Sequence, residues 1–120
     1  MEFSLSEDKM QGYCLTAKQR EQQRLEQLVT RRSQGMAAAR QAAQILKQMG
    51  ATRVVLFGSL LTEGFHGTSD LDLAVWDLPE HLYFRAVARL EGSGGFEVDL
   101  VEAQQAAMHI VKAIASGMEL

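Results

Sequence analysis

A chain of 120 residues with a formal charge of −3 fits one domain with a modest core, and leaves no length for separate nucleotide and substrate domains unless a partner supplies one. Apolar residues make up 47% and charged residues 22% of it, an ordinary soluble balance that carries no broad basic surface, so direct nucleic-acid binding is not expected. No apolar run approaches the roughly 20 residues that span a bilayer, and the N-terminus has neither a basic leader nor an apolar signal core, so a cytosolic protein without a membrane partner is expected. The single cysteine, Cys14, cannot close an internal disulfide, and no Cys/His spacing suits zinc.

The first fifteen residues place Phe3, Leu5, Met10, Tyr13 and Leu15 among polar groups without a period, and read as a short helix or an ordered arm. Thr16-Ala17-Lys18-Gln19 then has the spacing of a capping box. From about 17 to 49 there is no proline and only Gly35 interrupts, which predicts one helix with a weak point or two helices in series. Leu25, Leu28, Val29, Met36, Ala38, Ala42, Ile45, Leu46 and Met49 form its expected core stripe. Gly50 is suited to end the helix. A buried strand is predicted over 53–57 and an alternating strand over 71–76, separated by a glycine-containing loop. Asp77 is available as a cap for the next helix, which carries Pro79 in its first turn and packs through Leu82, Tyr83, Ala86, Val87 and Leu90. After the turn 92–95, residues 96–101 form a third strand, and a helix from about 103 to 115 is expected to bury Ala107, Ile110, Val111 and Ile114. Strands joined and covered by helices in this order predict a layered α/β fold: a small mixed, twisted sheet packed by helices, with an additional N-terminal helical segment.

Three aspartates carry the chemistry. Asp70 and Asp72 stand two apart at the start of a strand, so they point to one side while Leu71, Leu73 and Val75 face the other. Their Cα atoms are about 7 Å apart, close enough to converge on one hard cation. Without such a cation or a nearby base, each raises the other's pKa. Asp99 lies in the third strand, and if that strand pairs beside the second it completes a three-carboxylate cluster. All-oxygen ligands suit Mg²⁺ or Mn²⁺. Asp99 is the choice for the group nearest an acceptor proton, and Glu97 shares its parity as a lesser, supporting acid. Gly58-Ser59 directly follows the first strand; the glycine lets backbone approach a phosphate, while the Ser59 hydroxyl and the following amides can donate to it.

Gly58-Ser59, ten intervening residues and then Asp70-Leu71-Asp72, with Asp99 downstream as third acid, resembles the signature of the polymerase-beta-type nucleotidyltransferase superfamily. The short chain and the stretch Ser69-Asp70-Leu71-Asp72-Leu73-Ala74-Val75 resemble its minimal members. The likeness covers roughly 37 to 118, and implies an arm and helix over 1–36 followed by a minimal nucleotidyltransferase domain over 37–120. It also implies that Gly58 and Ser59 bind a triphosphate, that Asp70, Asp72 and Asp99 are catalytic and hold metal, and that ATP is the donor. Minimal members are often antitoxins that transfer AMP to a tyrosine of a helical ribonuclease toxin, so such a cognate toxin is the implied partner, in a homo- or hetero-oligomer. Steric neutralisation of the toxin with weak or lost catalysis, and transfer to a small-molecule hydroxyl, are the alternatives. One departure stands out: where many minimal members place a basic residue and glycine, this chain has Leu60-Leu61-Thr62-Glu63-Gly64, so either activity is reduced or Lys47, Arg53, Arg85 or a partner residue compensates. His66 in the same loop reads equally as a nucleotide contact or an exposed histidine; His81 and His109 read as surface residues, Phe57 and Trp76 as packing, and Tyr13 and Tyr83 as structural before they are acceptors.

Overall fold

The computed structural model describes residues 16–62 and 70–120; the readings of Tyr13, Cys14, Glu63 and His66 lie outside the described residues. Helix α1, Ala17–Gln48, starts on the capping box expected of it: the Thr16 side chain accepts from the Gln19 amide (3.1 Å), and the Thr16 amide donates to Gln19 Oε1 (2.9 Å). It ends at Met49, and Gly50 turns the chain away with a φ of +116°. Its 32 residues run unbroken through Gly35. That glycine is no weak point, because it is buried and the space beside it is filled: a Cβ there would lie 2.9 Å from Leu60 Cδ1 and 3.2 Å from Phe96 Cζ.

Among the described residues, four strands form one mixed sheet in the order β3-β2-β1-β4: β1 is Arg53–Phe57, β2 Leu71–Trp76, β3 Val98–Glu102 and β4 Met118–Glu119. The pair β1/β2 is antiparallel and β2/β3 parallel, while β4 adds antiparallel to the other side of β1. Sequence gives no warning of β4, whose two residues are too few to show a period. Gly117 makes it possible, since any Cβ there would meet the Leu56 carbonyl and Val55 side chain at 2.6 Å. Helix α2, Tyr83–Leu90, lies between β2 and β3 in sequence, and helix α3, Met108–Ala115, lies between β3 and β4.

Alternation along the strands sorts the core into two layers. Val54, Leu56, Leu71, Leu73, Val75 and Leu100 pack with Ala38, Ala39, Ala42, Ala43 and Leu46 of α1 and with Ala86 and Leu90 of α2. Four small alanines let α1 lie close on the sheet. Val55, Phe57 and Ala74 face the other way and are covered by Ile114 and Ile110 of α3. Only part of the predicted α1 stripe belongs to the core: Leu25 is 49% and Val29 66% exposed. The physical reason is length, since 32 helical residues extend about 48 Å and strands of five or six only about 20 Å, so the first half of α1 projects past the sheet. The long axis of 65 Å against 27 and 18 Å records the projection.

Two helix boundaries also differ from expectation. Asp77 caps no helix; it takes a φ of +62°, its carboxylate accepts from Thr52 Oγ1 (2.6 Å) and Gln104 Nε2 (2.9 Å), and its amide donates to Gln104 Oε1 (3.1 Å). The last helix is preceded by a separate short turn, Ala103–Gln105, and of the four residues expected to be buried, Ala107 and Val111 are exposed. A helix of eight residues lying alone on its layer touches the sheet with one edge only.

Candidate active site

β2 brings Asp72 into register with Asp99 of β3 on one side and with Phe57 of β1 on the other. Adjacent strands lie about 4.8 Å apart, so the two carboxylates stand side by side on the face that α3 partly covers. Asp70 sits just before β2, two residues from Asp72 and exposed, as is Asp99. The predicted pairing of the second and third strands is therefore present, and it gathers the three acids at one end of the sheet. They do not close into a cage: among the described residues, no three carboxylate, histidine or cysteine groups converge on a metal-sized point.

Asp72 is the partly buried member. Its pKa is pushed up to about 6, first by burial, then by the negative charges of Asp99 and Asp70. A site that raises a carboxyl in this way favours whatever positive charge enters it. Among the described residues the acids offer carboxylate oxygens, which fits a hard divalent cation of the Mg²⁺ kind. That ion is commonly held by one or two carboxylates, with water and substrate phosphates completing its shell, so a pair of acids with a third nearby is a sufficient protein contribution.

Gly58 leaves β1 with a φ of +86° and opens a single 3₁₀ turn, Ser59–Leu61. A side chain at Gly58 is excluded twice, by that φ and because its Cβ would collide with the Asp72 carboxylate. The glycine read from sequence as room for a phosphate is equally room for an aspartate. Thr62 closes the turn, its amide and hydroxyl both donating to the Ser59 carbonyl at 3.1 Å. Leu60 points down from the turn into the core, while Ser59 stays partly open.

The cations named from sequence as compensation for Thr62 and Glu63 are elsewhere. Lys47 donates to the Leu120 carbonyl (2.7 Å), and Arg53 pairs with Glu119 (2.6 Å) while lying 4.4 Å over the Trp76 ring, both toward the opposite end of β1. Arg85 is exposed on α2. The residue that reaches the turn is Arg32 of α1, which donates to the Thr62 carbonyl at 2.9 Å. No local motif marks it, because thirty residues separate the partners. Tyr83 donates its hydroxyl to the Leu100 carbonyl (2.8 Å), and its pKa is raised by burial, then by Glu102 and Asp99. His81 and His109 are exposed, as read.

A sequence profile of the family described as Polymerase beta, Nucleotidyltransferase matches residues 40–120, and the chain belongs to that family. No curated protein matches it. Among solved structures, a mutant of the toxin-antitoxin MntA-HpeT is 20% identical with a TM-score of 0.57, covering 68% of this chain and 70% of that one. A toxin-antitoxin with AMP-PNP is 23% identical with a TM-score of 0.55, covering 64% and 67%. A tri-AMPylated Shewanella oneidensis HEPN toxin in complex with MNT antitoxin is 20% identical with a TM-score of 0.53, covering 71% and 70%. These likenesses are of fold, an α/β nucleotidyltransferase-like sheet.

Proposed function

We propose that the chain is a metal-dependent protein adenylyltransferase that moves AMP from ATP to a tyrosine hydroxyl of a cognate helical ribonuclease toxin, and so acts as its antitoxin. The observation that carries this is the register pair Asp72–Asp99, with Gly58 folded directly against Asp72, in a member of the polymerase-beta nucleotidyltransferase family. The toxin partner is supported by the fold neighbours, which are toxin-antitoxin complexes, one with AMP-PNP and one with an AMPylated toxin.

Gly58 and Ser59 receive the triphosphate. The first amides of a helical turn have no partners within it, and the Ser59 hydroxyl makes no hydrogen bond to the described residues, so both are donors for phosphate oxygens. Asp70 and Asp72 would hold the Mg²⁺ that accompanies ATP, with Asp99 completing the site. When bound, that ion neutralises phosphate charge and lowers the pKa of the acceptor hydroxyl. Asp99, exposed at the rim, takes the proton of the incoming tyrosine. The tyrosine oxygen forms a bond to the α-phosphorus, the bond from that phosphorus to the bridging oxygen breaks, and pyrophosphate leaves with the electron pair.

The test is rescue of growth. The candidate toxin is sought in the adjoining reading frames, and cells expressing it are given either the wild-type chain or Asp72→Asn. Rescue by the wild type alone supports catalysis. Equal rescue by both would instead favour steric neutralisation, with the projecting half of α1 as the obvious contact.

A further inference from the structure

Two consecutive arginines on α1 reach the two loops that lead into the acid-bearing strands. Arg32 donates to the carbonyl of Thr62, which closes the Gly58–Ser59 turn eight residues before Asp70. Arg31 donates to the Gly95 carbonyl (2.9 Å) and lies 3.7 Å over the Phe96 ring, at the approach to β3 and Asp99. One helical turn further on, Gly35 meets Leu60 from the first loop and Phe96 from the second. Residues 31–35 of α1 are thus the place where helix, phosphate turn and β3 approach meet. All of it lies outside residues 40–120, the part that matches the family.

Charge gives the contact a purpose. From Gly58 to Asp72 there is no lysine or arginine, and Asp70, Asp72 and Asp99 stand at the same end of the sheet. Each guanidinium donates to a backbone carbonyl of a loop, and Arg31 also covers the Phe96 ring, so each ties α1 to a loop that precedes an acid-bearing strand. Arg32 and Arg31 also divide the work by position: one is tied to the turn that faces nucleotide, the other to the strand that carries the proton acceptor.

We propose that Arg32 is a positioning residue for nucleotide binding through the Gly58–Ser59 turn, and Arg31 a positioning residue for the transfer step through Asp99. This rests on the nucleotidyltransferase reading above. It goes beyond that reading by making the site depend on a helix segment that precedes the residues matched to the family.

The test compares the full chain with Arg32→Ala, Arg32→Lys, Arg31→Ala and Arg24→Ala, the last removing an exposed arginine that pairs with Glu21. Four readouts are taken: thermal melting, amide hydrogen exchange over 59–62, calorimetric affinity for Mg·ATP, and KM and kcat for ATP in transfer to the toxin. Arg32→Ala is expected to raise KM and weaken Mg·ATP binding about tenfold, the scale of one hydrogen bond to a charged group, and to speed exchange over 59–62. Its kcat should change less than threefold, and Arg32→Lys should restore at least half of the affinity. Arg31→Ala should lower kcat about tenfold with KM little changed, and Arg24→Ala should match wild type. A wild type that binds and transfers, with unchanged KM and affinity in Arg32→Ala, overturns this inference alone. So does a shared fall in melting temperature with no split between KM and kcat. A wild type that neither binds Mg·ATP nor transfers overturns the underlying reading and this one with it.

Discussion

Because its pKa stands near 6 through burial and then through Asp99 and Asp70, the Asp72 carboxylate is held in its least favourable state at neutral pH. The sign follows from linkage: a folded-state pKa raised above the ordinary 3.8 means that folding binds a proton, so the Asp72 contribution to stability is full below about pH 4 and is lost as pH rises through 6. Replacing Asp72 by asparagine removes that penalty. In chelator, Asp72→Asn is expected to melt above wild type at pH 7 and to lose the difference below pH 4, while its transfer activity falls by about three orders of magnitude or more, the scale of lost metal-held charge. Melting curves from pH 4 to 8 check the first part and a transfer assay the second. Gly58→Ala tests the neighbour. It forces a Cβ into the Asp72 carboxylate at a φ only glycine tolerates, and should cost about 1–3 kcal/mol in chemical denaturation together with most activity.

Among the elements, α1 and the Asp77 turn show how local pattern and tertiary context part company. Gly35 reads as an interruption because glycine disfavours helix by up to ~1 kcal/mol, yet the chain keeps it where Leu60 and Phe96 leave no room. Gly35→Val should therefore destabilise by about 1–3 kcal/mol, the range for overpacking, measured by urea unfolding. Asp77 reads as a helix cap and instead ties Thr52 and Gln104 together, with its pKa lowered by those two hydrogen bonds. That contribution is present above about pH 4 and lost as pH falls through the lowered pKa, so Asp77→Asn should lower the melting point at pH 7, by an amount that shrinks on acidification below pH 4. The strands were legible because β-branched and alternating residues announce them, and the acids because parity and spacing survive without a structure. Arg32, Gly35 and β4 were not, since each acquires meaning only from a residue far away in the chain.

Taken whole, the molecule is a small sheet with a helix more than twice its length laid across one face and continuing beyond it. The projecting half has Leu25 and Val29 in solvent, so Leu25→Glu or Val29→Glu should change unfolding free energy by no more than about 0.5 kcal/mol, measured by urea titration. No described helix is long and apolar enough to cross a membrane. The family and the α/β fold were legible from Gly58-Ser59 and Asp70-Leu71-Asp72 together, because residue type, spacing and placement at the strand ends all agree there. The acceptor was not, because no residue type or spacing in the chain specifies it. The most direct test of the central claim is intact-mass spectrometry of the purified toxin after incubation with this protein, Mg²⁺ and each nucleoside triphosphate in turn, with Asp70→Ala/Asp72→Ala as control. The account predicts a gain of one or more AMP units with ATP, absent in the control and absent in chelator. No gain on a toxin that is nonetheless bound and neutralised would contradict it.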